Sequence, residues 1–74
     1  MKVETDSAGN AYVDVENIRV TAVPKTWSGD AGIRIQAYKG DGGLHRGAEL
    51  PIPDKSTAYD FLRAIQRALE ENGL

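Results

Sequence analysis

Ile18-Arg19-Val20-Thr21-Ala22-Val23 and Ile33-Arg34-Ile35-Gln36-Ala37-Tyr38 repeat one pattern, with apolar residues at one parity and an arginine plus a polar residue at the other. A period of two marks a half-buried strand, because successive side chains leave the backbone on opposite faces. Ile18, Val20 and Ala22 therefore share a core face with Ile33, Ile35 and Ala37, while Arg19, Thr21, Arg34, Gln36 and Tyr38 share the outer one. Between them Pro24 to Gly32 has the composition that ends one strand and opens the next, and carries Trp27 on the hairpin loop. Matching like faces across this hairpin sets Arg19 opposite Tyr38, Thr21 opposite Gln36 and Val23 opposite Arg34, which lays an arginine over a tyrosine ring.

Downstream, Gly40-Asp41-Gly42-Gly43 reads as a turn into a third core strand around Leu44 to Ile52, with Ala48, Leu50 and Ile52 keeping the inward parity. Gly47 marks a bulge or a close approach of backbones, and Pro51, which has no N–H to donate, belongs at an edge or a strand end. Upstream, the apolar parity changes between Val13/Val15 and Ile18/Val20, so Glu16-Asn17 must form a bulge or tight turn. Two readings stand for residues 1 to 10: a first hairpin strand turning through Ser7-Ala8-Gly9-Asn10, or a flexible leader.

Residues 55 to 72 change period. Phe61, Leu62, Ile65, Ala68 and Leu69 form one apolar helical stripe, flanked by Asp60, Arg63, Arg67, Glu70 and Glu71. Pro53 with Asp54 or Ser56 as N-cap starts the helix, and Gly73 after Asn72 suits a left-handed C-cap. The expected architecture is a single α+β domain over residues 1–74, an antiparallel sheet of three to five strands covered by one C-terminal amphipathic helix.

A chain of 74 residues buries only about 60% of its unfolded surface, so its core alone is marginal. The sequence has no cysteine and one histidine, which removes disulfides and the common zinc sites and leaves two readings, support by self-association or a well-packed monomer. Tyr59, Leu62, Gln66 and Leu69 extend the helical stripe beyond what one sheet covers and are the expected homodimer contact; simple core packing is the competing reading. No apolar run approaches bilayer-spanning or signal-peptide length, which points to a soluble, cytoplasmic protein with no membrane partner.

Catalysis and cofactors are not expected. His45 lacks any partner at a spacing that specifies a triad or metal site, and the glycine turn lacks the lysine and hydroxyl residue of a phosphate loop. Charge is unevenly spread: residues 1–16 carry −3, residues 17–52 carry +2 and residues 53–74 carry −1, for a net −2. The basic middle coincides with the outer sheet face. Arg19, Thr21, Arg34, Gln36, Tyr38 and Lys39, with Lys25 and Trp27 on the adjoining loop and Arg46 beyond the glycine turn, mix charge, hydrogen-bonding groups and rings. Single-stranded nucleic acid calls for that mixture, cations following the backbone while rings stack on bases. The alternative is a solvated sheet face on a protein-interaction module of the kind found in small phage or bacterial regulators, with no nucleic-acid role.

From Ile18 to about Leu69 the order of elements resembles the positive-cofactor-four family of single-stranded-DNA-binding transcriptional coactivators. The parallel lies in the alternating Gly32-Ile33-Arg34-Ile35-Gln36-Ala37-Tyr38-Lys39, the glycine turn, and His45-Arg46-Gly47-Ala48-Glu49-Leu50-Pro51-Ile52 leading into the amphipathic Ser56 to Leu69. The resemblance implies a curved antiparallel sheet with one C-terminal helix. It also implies a homodimer formed through helices and strand ends, and exposed sheet faces that bind single-stranded DNA with little sequence preference in replication or transcription. By position, Arg19, Arg34, Tyr38, Lys39 and Arg46 become the contacts, and Glu49 stands where a basic or neutral residue is expected.

Overall fold

The computed structural model describes residues 1–74 and shows five antiparallel strands followed by one helix. The strands are β1 Glu4–Thr5, β2 Ala11–Val15, β3 Ile18–Val23, β4 Gly32–Ala37 and β5 Ala48–Pro51, and the helix is α1 Lys55–Glu71. They form a simple meander, each strand beside its sequence neighbour, so β1 and β5 are the two edges.

Local chemistry accounts for each connection. Residues 1 to 10 supply the first strand and the turn of a hairpin with β2: the Asp6 carboxylate accepts from the Ala8 and Asn10 N–H groups at 3.0 and 2.8 Å, and Asp6 N–H donates to Asn10 C=O at 2.9 Å. At Glu16-Asn17 the parity change is resolved by a two-residue turn, since Val15 pairs directly with Ile18. Glu16 adopts φ 53°, the left-handed conformation that such a turn requires.

The β3–β4 hairpin keeps the expected faces but not the expected register. Arg19 lies opposite Gln36, Thr21 opposite Arg34 and Val23 opposite Gly32, a slip of two residues that leaves Tyr38 beyond the strand. The cause is the loop. Thr26, only 5% exposed, donates both its N–H (2.7 Å) and its hydroxyl (2.8 Å) to Asp30 C=O, which closes the loop early and draws Gly32 into the strand. Gly32 is obligatory there, because a Cβ would meet the Leu50 carbonyl oxygen and the Thr26 methyl group. Gly47 is also a close approach, its missing Cβ leaving room for the Ile35 carbonyl and the Gln36 side chain.

β5 is shorter than Leu44 to Ile52; Leu44 makes only an isolated bridge with Tyr38 before pairing resumes at Ala48. Pro51 sits on the edge strand, where its missing N–H costs no ladder bond. Helix α1 starts at Asp54, whose carboxylate accepts from Thr57 N–H at 2.7 Å, a bond that holds this carboxyl below its ordinary pKa. At the other end Gly73 at φ 80° closes a Schellman cap, with Leu74 N–H on Leu69 C=O and Gly73 N–H on Glu70 C=O.

The helix packs over the apolar sheet face with an open seam between them. Val20, Ile33, Ile35 and Ile52 face Ala58, Phe61, Leu62 and Ile65 across a cleft of about 250 Å³. Every α1 Cα stays more than 8 Å from the strand Cα atoms, and no α1 residue is buried. Burial is concentrated on the opposite face, where Thr21 and Val23 are 2% and 5% exposed.

Candidate binding face

Tyr12, Asp14, Arg19, Thr21, Arg34 and Glu49 occupy one face because they pair across neighbouring strands at matching parity: Tyr12 with Thr21, Asp14 with Arg19, Thr21 with Arg34, and Arg34 with Glu49. Their side chains form a connected layer. Arg19 places its guanidinium 3.8 Å from the centroid of the Tyr12 ring and 5.2 Å from that of Tyr38. Its Nε donates to the Tyr38 hydroxyl at 3.0 Å and lies 3.4 Å from Asp14 Oδ1. The Tyr38 hydroxyl in turn donates toward the Asp14 carboxylate at 2.9 Å. The arginine over a tyrosine ring is therefore present, with Tyr38 reached diagonally from beyond the strand and Tyr12 supplying the closer ring.

Electrostatics follow from these contacts. Partial desolvation works against the Arg19 charge, but the hydrogen bond and attraction to Tyr38, with Tyr12 and Asp14, more than offset it and leave its pKa above the ordinary value. At the β1 side the Tyr12 hydroxyl donates to Glu4 at 3.0 Å, which lowers the Glu4 pKa, helped by Lys2 at 3.2 Å, and raises that of Tyr12. On β4, Arg34 directs Nη2 (2.8 Å) and Nε (3.3 Å) to one oxygen of Glu49. Glu49 thus neutralises the arginine across from it.

The structure sorts the sequence-derived site residues into three groups. Arg19, Arg34, Gln36 and Tyr38 share the face, with Gln36 donating to His45 C=O at 3.1 Å. Thr21 shares it too, and at 2% exposure it lies beneath the layer. The burial comes from Tyr12 and Arg34, which flank it on the adjoining strands. Lys25 and Trp27 lie on the loop at one end of β4, and Lys39 and Arg46 beyond its other end, so these four bracket the face. Lys25, Lys39 and Arg46 take no carboxylate partner.

Trp27 is 74% exposed and neither lies over the core nor rests on the polar layer; its ring N–H donates to Glu49 C=O at 2.8 Å. Ile52 N–H bonds Ala31 C=O, so alternation along the ladder makes Arg34 and Glu49 a non-bonded pair and turns the Glu49 carbonyl to the free edge of β5. Trp27 caps that edge.

Sequence reasoning missed Tyr12, Asp14 and Glu4. The signal was available in Ala11-Tyr12-Val13-Asp14-Val15, whose alternation puts Tyr12 and Asp14 opposite Val13 and Val15. The helical strip expected to form a dimer contact is open, with Tyr59 67%, Leu62 56% and Leu69 46% exposed. No helix is long and apolar enough to cross a membrane. Comparison with family models, with curated proteins and with solved structures found no match to this chain.

Proposed function

We propose that this chain is a non-enzymatic binding module of the positive-cofactor-four-like kind that carries single-stranded nucleic acid along the polar face of its sheet. The observation that carries the reading is a polar face holding Tyr12 and Tyr38 and bracketed at its two ends by the unpaired cations Lys25, Lys39 and Arg46, with Trp27 exposed at the adjoining β5 edge. Rings offer stacking platforms and cations track phosphates, which is the division of labour that sequence-tolerant single-strand binding uses. Arg19 and Arg34 hold the layer together, and the bracketing cations make the phosphate contacts.

Fluorescence anisotropy of a labelled single-stranded oligonucleotide at two or more salt concentrations tests this. Three phosphate contacts give a slope of log K on log salt of about −2, at roughly 0.7 per contact. The double variant Lys39→Glu/Arg46→Glu loses that binding while its folding is unchanged. Absence of binding at low salt overturns the proposal.

A specific observation favours a second reading, a protein-interaction module. Asp14 and Glu49 neutralise the two central arginines, so the polar face presents balanced charges of both signs. An acidic nucleic acid gains little from such a surface, whereas a protein of mixed charge pairs with it.

A further inference from the structure

The two edges of the sheet are finished differently. At β5, Pro51 has no N–H to offer and the Glu49 carbonyl is held by the Trp27 indole. At β1 no strand lies beyond. Asp6 N–H bonds Asn10 C=O, Thr5 pairs with Ala11 and Glu4 with Tyr12, so alternation along the ladder turns the Glu4 backbone toward β2 and the N–H and C=O of Val3 and Thr5 outward. The turn after Val15 gives the same phase from the other side: Val15 and Ile18 form a bonded pair, which leaves the Tyr12 backbone directed at β1. No turn or loop bond engages Val3 or Thr5.

Side chains at this edge divide by face. Glu4 lies on the polar face beside Tyr12, while Val3 and Thr5 lie on the apolar one. The apolar face is uncovered here, since the cleft beneath α1 is lined from the sheet side by Val20, Ile33, Ile35 and Ile52 alone, and Val3 is 65% exposed.

We propose that the β1 edge takes up an extended segment of a partner protein in which aliphatic and basic residues alternate, adding it as a further strand. The outward groups of Val3 and Thr5 supply the ladder bonds. The partner residue opposite Glu4 then falls at a non-bonded position, where side chains lie closest, so a lysine or arginine there meets the Glu4 carboxylate and aliphatic neighbours fall beside Val3. The sheet already uses this pattern twice. Ile18-Arg19-Val20 sets Arg19 3.4 Å from Asp14 on β2, and Ile33-Arg34-Ile35 sets Arg34 2.8 Å from Glu49 on β5. Glu4 has the Tyr12 hydroxyl on its β2 side, and its only cation is Lys2 of its own segment, 84% exposed.

Charge chooses between occupants. Residues 1–16 carry −3, which draws a basic segment in. A second copy is opposed, because antiparallel pairing centred on Glu4 or Thr5 sets Glu4 against Glu4 or Asp6 of the copy. This inference uses the sheet edge rather than the cation-bracketed face and is independent of the nucleic-acid reading.

Amide hydrogen exchange of the full chain, with and without a synthetic peptide of about six residues alternating valine and arginine, tests it. The peptide binds more weakly as salt rises, slows exchange at Val3 and Thr5 and leaves β5 unchanged, while the same peptide with glutamate for arginine does not bind. Thr5→Pro deletes one outward N–H without touching the ladder to β2 and abolishes binding. Glu4→Lys weakens it by about tenfold and shifts preference to the glutamate peptide. The exchange experiment uses the unaltered chain, so it decides the matter even where a variant loses its first hairpin. No binding at roughly 1 mM peptide, equal binding of the two peptides, protection away from β1, or Val3 and Thr5 amides already protected in a self-associated chain without peptide overturns the inference.

Discussion

The two faces of this sheet reverse the usual expectation that apolar means buried and polar means open. On the face of Arg19 and Arg34, hydrogen bonds, ion pairs and stacked rings close a layer tight enough to leave Thr21 2% exposed. On the face of Ile18 and Ile35, the helix stands off, and Val15, Ile18 and Ile65 retain 44%, 39% and 42% of their exposure. The lesson is that long polar side chains seal a small sheet when their partners lie on adjoining strands, because their stems cover apolar surface while their heads pair. A single helix 17 residues long cannot cover the other face unaided.

The comparison breaks most severely at Gly32. Its absent Cβ would point into the sealed side, against the Leu50 carbonyl and Thr26. Gly32→Ala should cost about 3 kcal/mol in urea unfolding, whereas Ala22→Val, a larger side chain on the open face, should change stability by less than about 0.5 kcal/mol. Equal costs for the two would show that the faces are packed alike.

Arg19→Ala probes the sealed layer from within and should cost about 1–2 kcal/mol, since it removes the ring contacts, the packed stem and the link to Asp14 together. Arg46→Ala, at the margin, should stay within about 0.5 kcal/mol. The same urea titrations decide both, and a neutral Arg19→Ala would mean that the layer is decorative.

The smallest effect sharpens the edge of the layer. The folded-state pKa of Glu4 is depressed, so its contribution is present above the ordinary value of 4.5 and is lost as pH falls through the lowered folded value. The Tyr12 pKa is raised above 10.0, so its contribution is complete below that value and is lost as pH rises through the raised one. Tyr12→Phe keeps the ring under Arg19 but deletes this bond, so its stability against pH should lose part of both limbs. A profile that matches the parent would show that the bond contributes nothing.

Much of this fold was legible because period two and period 3.6 are strong signals. The faces of Ile18–Val23 and Ile33–Ala37 and the helix itself follow from residue type and spacing, while the structure chooses among the sequence's open readings a turn at Glu16-Asn17, an edge position for Pro51 and Asp54 as the N-cap. Register was not legible, because it depends on how Thr26 closes its loop onto Asp30, a three-dimensional bond that composition does not announce. The site was half legible for a related reason. Arginines are visible in a sequence, but whether Asp14 and Glu49 neutralise them depends on pairing across strands distant in the chain.

Trp27, finally, makes the β5 edge observable. It is the chain's single tryptophan, and its indole N–H occupies the outward Glu49 carbonyl, the very acceptor that an added strand would claim. Any peptide that extends the sheet at β5 must first dislodge the indole, so strand addition there would register directly as a change in intrinsic fluorescence, with no label attached.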